Sequence, residues 1–276
     1  MTFIITLISL VIERFFYWGN LRQWRWFLRY QRWLSQSRIN HWPSYVLLIL
    51  CLLPPLLVVG FINFLLNGWL YGILKLLFGI AIFMYCLGPY NLWVQVYACI
   101  HELQKGDTYL AIEHANTAFK INVADNSEAF HQAFVRAIFL AAHQRIFGVL
   151  FWFVILGPVG AVFYRMIALL NEESLLNVSV LSGKIHRLLD WIPVRIFTFI
   201  FALGGHFTEV FVRFKKNALK GPAVNETLLV ECGIAALDVP DDLVSKEGVV
   251  EKEALALLDR VFVMSLVILA VLVLLL

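Results

Sequence analysis

The run from Tyr45 to Leu66 carries no charge over 22 consecutive positions, and no other stretch limits the possible folds so sharply. At 1.5 Å per residue it reaches ~33 Å as a helix, enough to cross a hydrocarbon core ~30 Å thick. Inside hydrocarbon each backbone N–H and C=O has to be bonded within the protein, which leaves helices and closed barrels. A continuous apolar run without period-2 alternation selects the helix. Pro54-Pro55 in its middle predicts a kink, with the freed carbonyls bonded by neighbouring elements. Asn67-Gly68 then predicts a tight reversal, and Trp69–Leu87 returns. A third uncharged run, Val261–Leu276, is expected to start near Leu255, with Asp259-Arg260 at the membrane surface. With 61% hydrophobic and 15% charged residues among 276, the chain is far from the soluble average, which is about half and a quarter.

Three further segments are less regular. Met1–Tyr17 is short and contains Glu13-Arg14; it lacks a basic leader and a small-residue cleavage site, so it reads as a retained first membrane helix. Ile146–Leu170 is interrupted by Gly157-Pro158 and Gly160, and Pro193–Val212 carries Arg195, Gly204-Gly205, His206 and Glu209. The expected fold is all-α, a polytopic integral membrane protein of five to six membrane segments, some of them half-helices. One membrane domain spans 1–276, with a helical cytoplasmic insertion at 89–145 and a cytoplasmic loop at 213–256. Arginines crowd Trp18–Pro43 without an acid, so that loop is expected to be cytoplasmic. Two readings of Ile146–Leu170 stay open. It either crosses fully or turns back at Gly157-Pro158 as a re-entrant hairpin.

The extramembrane parts read as helices. Asp125 and Glu128 have capping-box spacing, followed by an apolar face of Phe130, Phe134, Ala137, Ile138 and Ala141. Asp107 is placed to cap an earlier helix with Leu110, Ala111, His114 and Ala118 on one side. Cys51, Cys86, Cys99 and Cys232 show no paired spacing and are read as buried, reduced thiols. No phosphate-binding glycine loop, HExxH or GxSxG is present, so neither a metal site, a cofactor nor a catalytic set is expected. Arg22, Arg25, Arg29 and Arg32 alternate with Trp24, Trp26 and Trp33. Tethered between membrane segments, they point to anionic lipid headgroups rather than nucleic acid.

Charges within apolar segments are the main functional lead, because each costs roughly 2.5–3.5 kcal/mol at bilayer depth unless paired or used. Glu13, Arg14, Arg165, Asp190 and Arg195 are the principal candidates. They form either a structural ion-pair network or a ligand site, and both readings stay open.

The same residues carry a likeness. Leu189-Asp190-Trp191-Ile192-Pro193-Val194-Arg195 resembles the L-D-x-x-P-x-R signature of the AmpE and CobD/CbiB proteins. Gly157-Pro158-Val159-Gly160-Ala161-Val162-Phe163-Tyr164-Arg165 is similar to their G-P-x-G-A-x-x-Y-R segment, and Ala202-Leu203-Gly204-Gly205-His206 resembles AmpE. Tyr164 and His206 thereby join the candidates. The G-D-P, H-P-V and acidic stretches of the CobD/CbiB synthases are replaced here, so the resemblance points to AmpE. It implies a non-enzymatic inner-membrane accessory or signalling protein in β-lactamase regulation and the cell-wall stress response. It also leaves two alternatives: a membrane-embedded enzyme on the same scaffold with Asp190 or Glu13 as base, or an assembly subunit. A membrane-protein partner or a second copy of the chain is expected.

Overall fold

The structure, a computed structural model, describes residues 2–15, 23–37, 42–66, 72–88, 91–121, 127–237 and 248–275, without the side chains of 2, 13–15, 127, 128 and 273. The Asn67-Gly68 reversal, Asp125, Arg22 and the side chains of Glu13 and Arg14 lie outside these described residues. Helices in chain order are α1 (Thr2–Phe15), α2 (Arg25–Gln36), α3 (Ser44–Leu65), α4 (Ile73–Cys86), α5 (Leu92–Gln104), α6 (Thr108–Phe119), α7 (Ser127–Ala142), α8 (Gly148–Glu172), α9 (Ser179–Leu189), α10 (Trp191–Gly204), α11 (Phe207–Asn217), α12 (Asn225–Ala235) and α13 (Val249–Leu275). The described residues contain no strand. Ser44–Leu65, Ala129–Glu172 and Val249–Leu272 are long and apolar enough to cross a membrane, and Phe3–Ile12, Ile73–Cys86 and Trp191–Gly204 are shorter apolar helices. The chain is a helical membrane protein.

It forms two compact units, Met1–Pro89 with Arg145–Asp190, and Tyr90–Gln144 with Trp191–Leu276. In the first unit α8 packs on α9, α4, α3 and α1. Gly79 of α4 makes room for Ile5, whose Cδ1 would lie 2.7 Å from any added Cβ.

Helix α3 runs through Pro54 and Pro55. Pro54 has no N–H to give to the carbonyl four residues earlier. That carbonyl, on Leu50, accepts instead from the Tyr30 hydroxyl of α2 at 2.8 Å. The sequence expectation that a neighbour would bond the freed carbonyl is met by a named residue. Helix α2 presents Phe27, Gln31 and Leu34 inward, while Arg25, Arg29 and Arg32 are exposed.

The open question at Gly157-Pro158 has a geometric answer. Gly157 has φ 66° and ψ −153°, a region essentially restricted to glycine. Pro158 then starts the next helical arm with its φ already set. A Cβ added to Gly148 would overlap the Tyr164 hydroxyl, and one added to Gly160 would overlap the Trp152 carbonyl oxygen. Positions 148 and 164 would lie ~24 Å apart along a straight helix. Both contacts are centred on the same turn, so α8 is a helical hairpin. The long apolar stretch Ala129–Glu172 therefore does not run straight.

In the second unit, the segment expected as an insertion supplies α5, α6 and α7. Asp107 caps α6, its carboxylate accepting from the Leu110 N–H at 3.1 Å, as the sequence predicts. The buried face of α6 is Ala111, Ile112 and Ala115, with Leu110 and His114 exposed. The expected face was rotated by one position, because the small alanines rather than Leu110 meet the adjoining helices. On α7, Phe130, Phe134 and Ile138 are fully buried. Phe139 packs edge-on against Phe201 at 5.3 Å, which in turn meets Phe197 at 4.5 Å. On α13, Asp259 accepts from the Trp93 indole at 2.7 Å. All four cysteines are buried and free; burial pushes the thiols of Cys99 and Cys232 up to about 12.

Candidate functional site

The site in the first unit is built where the return arm of the hairpin meets α9. His186 and Asp190 stand four positions apart on one helical turn, which puts both on the same face. Asp190 follows the last residue of α9, and its N–H closes the helix on the His186 carbonyl at 2.9 Å. The imidazole Nδ1 of His186 lies 3.3 Å from Asp190 Oδ2. From α8, Tyr164 donates its hydroxyl proton to Asp190 Oδ1 at 2.7 Å. The Tyr164 and His186 rings stack with centroids 5.5 Å apart. Bonds to a carboxylate are about twice as strong as neutral ones, and strongest when water is excluded. Asp190 is 7% exposed and Tyr164 is fully buried, so this is an enclosed cluster. It exists because Gly148 has no side chain where the tyrosine passes. Hairpin and polar cluster therefore hold one another in place.

Arg165, next in sequence, is treated differently. It is 5% exposed, and its Nε and Nη1 have no hydrogen-bond partner among the described residues. Its Nη2 lies beside Gly88, 3.3 Å from where a Cβ would stand, and Gly88 has φ 95°, a conformation that favours glycine. Buried guanidinium nitrogens without a partner are costly, and such atoms call for an explanation in ligand, ion or strain.

Arg195 lies in the second unit with its donors engaged. Its Nε donates to the Ala218 carbonyl at 2.5 Å, Nη1 to the Trp191 carbonyl at 2.5 Å and to Asn225 Oδ1 at 2.9 Å, and Nη2 to the Lys220 carbonyl at 2.7 Å. The guanidinium also covers the Trp191 ring at 4.3 Å. Ala218 and Lys220 follow α11, whose last carbonyls have no partner within the helix. Arg195 thus ties off a helix end. His206 is exposed at the N-terminal flank of α11. Glu13 and Arg14 fall on the last turn of α1, with side chains outside the described residues.

Of the expected candidates, then, Tyr164 and Asp190 come together, Arg165 adjoins them in sequence with its own surroundings, and Arg195 is held in the other unit. His186 was missed by sequence reasoning. Its position one turn before Asp190 was the available signal.

The match to known proteins covers nearly every residue just described: residues 1–275 fit the family described as regulatory signalling modulator protein AmpE. The chain belongs to the AmpE family. A more distant likeness joins this AmpE-family chain to the cobalamin biosynthesis protein CobD of Chromobacterium violaceum, 23% identical over 174 residues, 60% of this chain and 56% of that protein. The chain thus spans little more than half the length of that curated relative. No solved structure matches. Membership in AmpE places the chain among accessory modulators of signalling, and the CobD likeness agrees with the wider family expected from the two motif segments.

Proposed function

We propose that this chain is a multi-pass protein of the bacterial inner membrane that modulates β-lactamase induction as part of a response to cell-wall stress. The observation that carries this reading is the fit of residues 1–275 to a family of signalling modulators. The enclosed Tyr164–Asp190–His186 cluster suits such a role, because it locks a hairpin whose release would move the return arm as one piece. A two-state element of this kind passes on a signal only if a ligand or partner favours one arrangement over the other. Arg165, buried with open donors, is the group on which an anionic ligand or a partner's carboxylate would exert that preference. The partner is a second membrane protein or a second copy of the chain.

A second reading, an enzyme with Asp190 as base, draws on the CobD relative. The first is favoured because both Asp190 oxygens already have partners, whereas a general base needs its substrate's proton within hydrogen-bond reach.

The test is complementation of a strain lacking this chain and carrying an inducible β-lactamase. Wild type restores the induced β-lactamase level, and Asp190→Asn, expressed at an equal level in the membrane, leaves it at that of the deletion. Full restoration by the variant would overturn the role of the cluster. An unchanged response in the deletion strain would overturn the functional assignment itself.

A further inference from the structure

An apolar groove of about 410 Å³ runs along the first unit, bounded by Trp26 and Tyr30 of α2, Pro54, Pro55 and Val58 of α3, and Tyr85 of α4. Its size is that of a small-molecule site, ~300–1,000 Å³. Three hydrogen bonds hold its aromatic walls. Tyr30 is anchored by its hydroxyl to the Leu50 carbonyl at 2.8 Å. The Trp26 indole donates to the Tyr85 hydroxyl at 2.7 Å, and that hydroxyl donates in turn to the Gln23 carbonyl at 3.3 Å. These bonds engage the polar tips of Trp26, Tyr30 and Tyr85, so the walls offer only apolar surface. An occupant that satisfies this groove is a hydrocarbon chain.

The neighbouring stripe of α2 states what that chain is attached to. Arg25, Arg29 and Arg32 each precede a residue of the aromatic stripe Trp26, Tyr30 and Trp33, about 100° around the helix. All three arginines are exposed, and α2 contains no acidic residue. A helix with one apolar and one basic face lies in the membrane surface, its cations against anionic headgroups.

We propose that this groove is a binding site for an anionic phospholipid, one acyl chain lying against Pro54, Pro55 and Val58 and the phosphate held by Arg25 and Arg29. The two parts of the site divide the work. The groove selects for a flexible hydrocarbon and is indifferent to headgroup, while the arginines select for charge and are indifferent to the chain. The occupant comes from the surrounding bilayer, so the site is filled whenever the protein is in an anionic membrane.

The experiment uses the purified full chain in mild detergent, titrated with phosphatidylglycerol or with phosphatidylcholine of identical acyl chains, with bound lipid counted by native mass spectrometry. One phosphatidylglycerol is retained, and phosphatidylcholine is held about 25-fold more weakly, roughly fivefold for each arginine. The double variant Arg25→Gln/Arg29→Gln brings phosphatidylglycerol down to the phosphatidylcholine level and leaves phosphatidylcholine binding unchanged. Val58→Trp fills the groove and reduces retention of both lipids at least tenfold; Val58 is 58% exposed, so the larger ring needs no space in the core. Equal retention of the two lipids by the wild type would overturn the proposal. So would phosphatidylglycerol binding that survives Val58→Trp, or a dimer that Val58→Trp dissociates while no lipid is bound. The arginine variants alter only exposed side chains, so their result stands even if Val58→Trp fails to fold.

Discussion

Each motif segment ends in an arginine, and the two compact units deal with theirs in opposite ways. In the second unit Arg195 meets three backbone carbonyls, an amide oxygen and an indole ring, and its charge is consumed in tying the end of α11 to the start of α10. In the first unit Arg165 is buried more deeply, yet two of its nitrogens find no partner among the described residues. Burial of a charge is tolerable when its partners are in place and expensive when they are not. The first arginine is explained by stability alone. The second is not, and a residue that stability leaves unexplained is the better functional candidate.

This contrast can be broken by experiment. Arg195→Ala should cost the most, about 3–5 kcal/mol in thermal unfolding in detergent, since it strips charged hydrogen bonds from several carbonyls at once. A loss no larger than that of an ordinary surface substitution would remove the distinction between the two arginines.

Gly148→Ala comes next, at about 3 kcal/mol, because the new methyl group overlaps the Tyr164 ring and hydroxyl in a packed site. Combining it with Tyr164→Leu should recover part of that loss. Were α8 straight, Gly148→Ala would be neutral or slightly stabilising, so this variant tests the hairpin directly.

Arg165→Met should leave stability within about 1 kcal/mol of wild type, because replacing a buried uncompensated charge with an apolar chain of similar length is often neutral or better. β-Lactamase induction should nevertheless fall to the level of the deletion strain. Retained induction would move Arg165 to the structural side of the comparison.

The smallest effect is expected at Glu102, a partly exposed carboxylate held below its ordinary value of 4.5 by the Lys105 ammonium first and by His101 second. A depressed folded-state value means that the contribution is present above the unfolded value and disappears as pH falls through the folded one. The small difference in melting temperature between wild type and Glu102→Gln at neutral pH should vanish at acid pH. A surface pair of this kind sets the lower end of the scale against which the two arginines are judged.

How much of this was legible beforehand varies with the range of the interaction. Helices set by composition and period were readable: α3 from its uncharged run, the buried face of α7 from Phe130, Phe134 and Ile138, the start of α6 from Asp107. The hairpin was readable only as one of two options, because Gly157-Pro158 permits a turn and what selects it is contact between residues sixteen positions apart. His186 carried no motif and needed α9 to bring it beside Asp190. Arg195 was read as a site residue from its charge and motif; the carbonyls that surround it come largely from a helix end whose position the local sequence does not encode.

A proline in a membrane helix is usually counted as a gap in the ladder. Pro54 is also an address. By withholding its donor it leaves the Leu50 carbonyl without a partner inside the helix, and Tyr30 takes it. Apolar faces slide over one another with little change in energy, but an orphaned carbonyl has one location. The place where the surface helix is moored is thus written into the covalent structure of the helix that receives it. Pro54→Ala would return the Leu50 carbonyl to the ladder, cancel the address, and leave α2 with the same hydrophobic face and without the Tyr30 bond.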